Sequence, residues 1–400
     1  MSQSARSSPN VRISSRGASR LKDGHVWVYR SDIVSADGIL PGSIVPVTDL
    51  QGRRLGTALY SSSSQIAIRL ISREPVADFS VLLRERIADA IAYRQRIVRD
   101  TDAYRLIFSE ADFLPGLIVD RYNDILSLQI LTQAMDAESV RETLVSELKQ
   151  TLQPDSIVER VDPRVRQLEE LRPRASGLLW GEKTSTIFTI NGVQFHSDAL
   201  EGQKTGAFLD QRENYAAAAQ YANGDALDVF CYQGGFALHL APHCSHVTAV
   251  DSSRPALEIA DSNAELNRPL LGGKEIEWIE ANAFDLLKDY AASGQRYDTI
   301  VLDPPAFARS KRELAAALRG YKELNLRALK MLRPGGTLVS CSCSYHVSQS
   351  EFLQMLGSAA TDAHRTLRLV EVRGQARDHP ILLNVPETSY LKCVIASVSN

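Results

Sequence analysis

Four hundred residues exceed one ordinary domain and suit two or three. The chain is 44% hydrophobic and 23% charged with a net charge of −3, a globular composition without a chain-wide basic field, so any polyanion site must be a local patch. Its five cysteines are odd in number and lack C-x-x-C spacing, which argues against a structural zinc site or disulfide framework and fits a reducing cytoplasm; no apolar run approaches a membrane span. Residues 1–10 are Ser- and Arg-rich without an apolar signal core, superficially like a transit peptide, and read as a disordered tail.

From 11 to 75, short β-like runs (VRISS, HVWVYRSDIV, SIVPVTDL, LGTALYS, QIAIRLIS) alternate with Gly- and Pro-marked turns, predicting a small β-barrel. The segment Arg20 to Arg30 mixes basic groups with aromatics. That mixture suits RNA, where charge holds phosphate and rings stack on bases; the plainer alternative keeps Trp27 and Tyr29 in the core and Arg20 and Lys22 in water. The segment resembles the start of a PUA domain, an RNA-binding pseudobarrel, which adds to the RNA reading.

At about Phe79 the period becomes helical through Asp100, with Val81, Leu82, Ile87, Ile91 and Ile97 at helical spacings. Strand-like YRLIFSEAD, LPGLIVDRYN and DILSLQILTQ follow, then a helix from Ala137 to Leu152, a strand from Ser156 to Val161, and a hairpin with Asn191-Gly192 at its turn. The expectation is a small α+β domain over 76–185, with an exposed β-edge that would allow a homodimer. Arg105, Glu110, Asp112, Asp120 and Arg121 read as solvated or mutually paired charges rather than a site.

Residues 186–400 alternate apolar strands and helices in a βαβα rhythm, predicting a parallel sheet covered on both faces, a Rossmann-like domain with its ligand at the C-terminal strand ends. Asp228 sits in the first strand, followed by Phe230 and a turn at Gly234-Gly235; Asp251-Ser252 ends the second strand; Asn282-Ala283 follows the third. Glycines let backbone approach a ligand, and a strand-terminal acid can accept ribose hydroxyls. Without G-x-G-x-x-G a pyrophosphate is disfavoured, and S-adenosyl-L-methionine fits better.

The next two strands carry VLDPPAFARSK (Val301 to Lys311) and LVSCSCSY (Leu338 to Tyr345), separated by a helix-like segment and the turn Pro334-Gly335-Gly336. They deliver an acid, Asp303, and thiols, Cys341 and Cys343, to one sheet edge. Cytosine C5 is a poor nucleophile; a thiolate adding at C6 activates it, and a group at N3 must absorb the developing charge. Cys343 is the candidate nucleophile and Asp303 the candidate N3 partner, either protonated and donating or ionised and holding a protonated N3. No lysine or arginine flanks Cys343, so any help in ionising it must come from the fold. Cys341 reads as filler, and Phe307 as a base-stacking ring or a packing one.

DPPAFARSK, GYKELNLRAL (Gly320 to Leu329), the SCS around Cys343, the terminal DHP…YLK (Asp378 to Lys392) and EGQKTGAFLDQREN (Glu201 to Asn214) together resemble one family. It is the bacterial class I methyltransferases that make 5-methylcytidine in large-subunit (23S) ribosomal RNA. The resemblance implies an N-terminal PUA domain (11–75), a middle α+β domain (76–185) and a Rossmann-like methyltransferase domain (186–400). It implies Cys343 as catalytic cysteine, with Asp228, Asp251, Asn282 and Asp303 on the cofactor side and Phe208, Asp210 and Arg212 packed near the cofactor. Candidate RNA contacts are Arg20, Lys22, His25, Trp27, Lys204, Phe307 and Lys311, and the partner is 23S ribosomal RNA, naked or in an assembling subunit. Many related RNA cytosine methyltransferases carry a second cysteine after the DPP-like proline; here Pro305-Ala306 stands there, so the base that removes the C5 proton is unassigned, with Asp303, Cys341 and water all open. Two rival readings are methylation of a guanine or adenine nitrogen on the same fold, and a non-enzymatic ribosome-assembly factor.

Overall fold

A computed structural model describes residues 9–200, 207–308 and 310–400. These form two compact units. The first takes the described residues up to Thr186, then 197–200 and Arg377–Thr388; the second takes Ile187–His196, Ala207–Ala376 and Ser389–Asn400.

The first unit opens with a six-stranded sheet in the order Trp27–Tyr29, Ile66–Ser72, Arg54–Tyr60, Ile44–Thr48, Val11–Ile13, Ile33–Ser35. Alternating side chains such as Val11, Ile13, Val45, Val47 and Ile68 fill its core. One element was absent from the strand-by-strand reading: Ser15–Lys22 is a helix, started by the Ser14 hydroxyl accepting from Gly17 N. Arg20 and Lys22 therefore sit in the last turn of a helix, where cations oppose the macrodipole.

The same unit holds a five-stranded sheet, Gly177–Trp180, Ser156–Glu159, Ile125–Ile130, Leu117–Tyr122, Ala103–Phe108, with helices Phe79–Ile97 and Glu138–Leu152 packed against each other. Its charges are internally paired. Arg105 grips Asp120 through two bonds of 2.7 and 2.9 Å, Arg94 pairs with Asp112, and Glu110 accepts the Trp27 indole N–H at 3.0 Å.

The hairpin Ser185–Ile190/Val193–Asp198 turns at Asn191 (φ 50°) and Gly192 (φ 84°), the paired positive φ values that a two-residue turn demands. The second unit is built on a seven-stranded sheet ordered Ile276–Glu280, His246–Asp251, Asp225–Val229, Tyr297–Leu302, Leu332–Ser342, Lys392–Ser399, Thr366–Arg373. The first five run parallel, as the rhythm predicts. The last two depart from it: Lys392–Ser399 lies antiparallel between Leu332–Ser342 and Thr366–Arg373. The expected turn at Pro334-Gly335-Gly336 is instead absorbed into the long strand Leu332–Ser342 as an irregularity, with Gly335 at φ 84°. Strand order reverses on either side of Asp225–Val229, so the open crevice lies beyond the ends of that strand and Tyr297–Leu302.

Candidate active site

On the cofactor side, Asp228 is fully buried in Asp225–Val229. Its Oδ2 accepts the Ala237 N–H at 2.9 Å, while Oδ1 has no hydrogen-bond partner among the described residues. Burial pushes its carboxyl up to about 8; Asp303 and Asp251 add to this and the Ala237 N–H opposes it. A ligand ammonium is the group that would satisfy Oδ1 and restore the carboxylate. The turn that follows is strained where it would meet a ligand: Phe230 (φ 68°) and Tyr232 (φ 49°) take left-handed backbone, at roughly 1–2 kcal/mol each. Gly235 is required by close approach, since a Cβ there would lie 2.5 Å from the Tyr215 ring.

Asp251 holds this turn in place. Its Oδ2 accepts Tyr232 N and its Oδ1 accepts Ser253 N, both at 2.9 Å, and Ser252 beside it is exposed. Asn282 caps the helix Ala283–Ser293 through its carbonyl oxygen and is itself exposed, while Ala283 is buried. Phe208 stands edge-on to Tyr232 at 5.0 Å. The Asp210 carboxylate accepts the Tyr390 hydroxyl at 2.6 Å. Arg212 is buried and pairs with Glu213. These donors and the vacant Asp228 oxygen fit a ligand carrying an ammonium, ribose hydroxyls and an adenine, as S-adenosyl-L-methionine does.

On the reaction side, Asp303 follows directly on Tyr297–Leu302. Gln211 Nε2 donates to its Oδ1 at 2.9 Å. Burial, and then the Asp210 carboxylate, push Asp303 up to about 7, while the Gln211 N–H holds it down. Cys343 follows Leu332–Ser342 and is partly exposed, its thiol 3.9 Å from the Pro304 carbonyl. Acid and thiol thus bracket Pro304. Cys341, two residues earlier, is fully buried opposite Cys393, and no disulfide is formed.

Four residues complete this arrangement without having been singled out in the sequence. Ser344 Oγ accepts Phe307 N (3.0 Å) and Ala308 N (3.2 Å) and meets the Tyr321 hydroxyl at 2.8 Å, tying the DPPAF loop to the SCS segment. Lys392 is buried; its Nζ donates to Ser344 O (2.6 Å) and Tyr390 O (2.8 Å). Burial depresses its ammonium to about 8, and the attraction of Cys343 opposes that. Gln211 is the third, and Tyr321 of the GYKELN block the fourth. The repeated serines of SCS and the lysine of YLK were visible motifs, but their pairing depends on a strand register no local pattern reveals.

Phe307 packs 4.6 Å from Tyr321 and joins the rim of the core. Lys311 opens a short 3-10 turn and is exposed. In the first unit, Arg20 pairs with Asp32 and lies 4.7 Å over the Tyr29 ring, Lys22 is exposed, and His25 Nδ1 accepts Trp27 N, which leaves Nε2 to donate to Glu387 at 3.1 Å. Lys204 lies outside the described residues.

Comparison with known proteins matches a PUA-like domain family to residues 11–73 and an S-adenosylmethionine-dependent methyltransferase family to residues 124–393. Ribosomal RNA large subunit methyltransferase I of Yersinia pseudotuberculosis, and that of Yersinia pestis, are each 40% identical over 377 residues, 92% of this chain and 94% of theirs. The fold superimposes on the methyltransferase SMU.776 complexed with SAH (TM-score 0.83, 20% identity, 98% of this chain and 100% of that one) and on a SAM-dependent methyltransferase from Streptococcus mutans (TM-score 0.81, 19% identity, the same coverage). Among the described residues no helix is long and apolar enough to cross a membrane.

Proposed function

The chain belongs to the S-adenosylmethionine-dependent methyltransferase family, in the group of Ribosomal RNA large subunit methyltransferase I, and from that premise we propose that it forms 5-methylcytidine in 23S ribosomal RNA, in the cytoplasm, through a Cys343 thiolate adduct. The observation that carries this reading is the bracketing of Pro304 by an acid of raised pKa and a thiol beside a buried lysine. S-adenosyl-L-methionine supplies an electrophilic methyl sulfonium when bound.

The protein's own groups do the rest. Lys392 is charged below about pH 8 and favours the Cys343 thiolate. The thiolate adds to C6; the C5=C6 pair moves to C4–C5, and the C4=N3 pair moves to N3, which takes a proton from neutral Asp303. C5, now enamine-like, accepts the methyl group. The C5 proton leaves to solvent, its electron pair re-forms C5=C6 and expels the thiolate, and N3 returns its proton to Asp303. The PUA-like domain and its cationic helix end supply the RNA contacts that hold the substrate.

Covalent trapping tests the proposal. RNA carrying 5-fluorocytidine has no C5 proton to lose, so a stable protein–RNA adduct should accumulate with wild type and disappear in Cys343→Ala. Methylation that survives Cys343→Ala would instead indicate a nitrogen acceptor, which needs no thiol. Turnover on protein-free ribosomal RNA, with the cofactor bound, would eliminate a non-enzymatic assembly role.

A further inference from the structure

The oxygen and nitrogen of an amide side chain are told apart by the groups they face. Two buried amides, Asn214 and Gln211, lie in series between Arg373 and Asp303, and both ends of the series are unambiguous. A guanidinium only donates, and a backbone carbonyl only accepts. Arg373 Nε donates to Asn214 Oδ1 at 2.9 Å, and Asn214 Nδ2 donates to the Gly374 carbonyl at 3.1 Å. Asn214 therefore cannot be turned over. Its Nδ2 also donates to Gln211 Oε1 at 2.7 Å, so Gln211 in turn must present N–H to Asp303 Oδ1, at 2.9 Å. The chain is anchored outside the site: Arg373 pairs with Glu371, which accepts the Tyr221 hydroxyl at 2.7 Å.

This orientation matters because Asp303 titrates near neutrality. Asp210 on the preceding turn pushes it toward the neutral acid, and it shares mutual repulsion with Asp228, Tyr215 and Cys341 on the elements around it; the Gln211 N–H opposes them. If Gln211 faced the other way, its carbonyl would accept a hydrogen bond from protonated Asp303 Oδ1 and hold that proton away from a substrate. With N–H facing Oδ1, that oxygen is the acceptor and the proton of the neutral acid resides on Oδ2.

We propose that Arg373, Asn214 and Gln211 form a directional relay that positions Asp303, fixing Oδ2 as the oxygen that gives and takes the proton at the target base. Gln211 is thus a positioning residue, as are Asn214 and Arg373 behind it. The assignment rests on the reading of Asp303 as the acid for N3, and its test separates the two.

Asp303 is followed by carboxyl-13C NMR in the ligand-free full chain, its signal assigned by difference from Asp303→Asn. Gln211→Met should move its titration to higher pH by about one unit, because the carboxylate loses its donor. Asn214→Leu removes the donor that fixes Gln211 without adding a charge, so Gln211 is free to turn over and the titration again rises. In the double variant the titration should move no further than in Gln211→Met alone, since the effect travels through Gln211. Arg373→Lys retains a donor and should titrate as the wild type does. In parallel, Gln211→Met should lower kcat about 10²-fold, shift the alkaline limb of the methylation profile upward, and leave the Kd for S-adenosyl-L-methionine unchanged. A titration that stays in place in folded Gln211→Met, or shifts that simply add in the double variant, would overturn the relay. A moved titration with an unmoved methylation profile upholds the relay and overturns Asp303 as the acid.

Discussion

Lys392 offers a prediction whose size follows from the structure. The side chain is 6% exposed, and burial lowers its ammonium from the ordinary 10.5 to about 8. Between those values the unfolded chain binds a proton that the folded chain does not, so stability rises with pH across that window; below about 8 both states are protonated and the full cost of the buried charge is present. A gap of about 2.5 pH units corresponds to roughly 3 kcal/mol, and residual hydration brings the expectation to about 2–3 kcal/mol. Lys392→Met removes the charge at similar length but leaves the Ser344 and Tyr390 carbonyls without their donor, at about 1–2 kcal/mol independent of pH. Urea denaturation of wild type and variant at pH 7.5, 9 and 10.5 measures the difference, and subtracting the pair cancels the other groups that titrate there. The wild type should gain about 2–3 kcal/mol on the variant between the lowest and highest pH. A difference that changes by less than about 0.5 kcal/mol would refute the argument. The same variant should form the 5-fluorocytidine adduct more slowly at pH 7, with the deficit shrinking as rising pH ionises the thiol unaided.

Three further outcomes follow from the same geometry. Ser344→Ala removes the acceptor of Phe307 N and Ala308 N and the partner of the Tyr321 hydroxyl, and should cost about 2–4 kcal/mol of unfolding free energy while lowering adduct yield, read by denaturation and by trapping. Asp228 keeps a proton in the folded chain between about pH 4 and 8 that the unfolded chain has lost, so it makes stability fall as pH rises through that window. Ligand-free Asp228→Asn should therefore melt above wild type at pH 8, with the gap closing toward pH 4, and calorimetry should find its cofactor affinity reduced at least about tenfold. Gly235→Ala places a methyl group 2.5 Å from the Tyr215 ring, and should lose about 1–3 kcal/mol together with cofactor binding, measured by melting with and without S-adenosyl-L-methionine.

Local patterning reached the elements that local chemistry specifies. The apolar runs ending in Asp228, Asp251 and Asp303 are strands, and Asn191-Gly192 is a hairpin turn, because each depends on residues within a few positions. The helix Ser15–Lys22 is not visible in the same way, since its buried face rests on Gly17, Ala18 and Leu21, of which only leucine is strongly apolar, and only the Ser14 cap marks its start. Asn282 is expected on the cofactor side, yet its carbonyl is committed to capping a helix, which leaves only its amide N–H to meet a ligand. Pairings across the sheet were out of reach, because they follow from register rather than from neighbours in the chain.

The cation near Cys343 illustrates why that register matters. Along the chain no lysine or arginine flanks the thiol, and Lys392 lies 48 residues beyond Ser344. A further parallel strand would bring its last residues to the sheet edge where Cys343 sits; an antiparallel one brings its first. Lys392 opens the strand Lys392–Ser399 and pairs with Ser342, the residue before the thiol. The break in the parallel rhythm is thus what carries a charged group to the edge where Cys343 sits, at the start of a strand, where two backbone carbonyls, of Ser344 and Tyr390, can hold its ammonium inside the protein. A charge so buried needs that support to remain protonated below pH 8; Cys343, and after it Glu351, attract it further, so lysine and thiol stabilise each other's ionised forms.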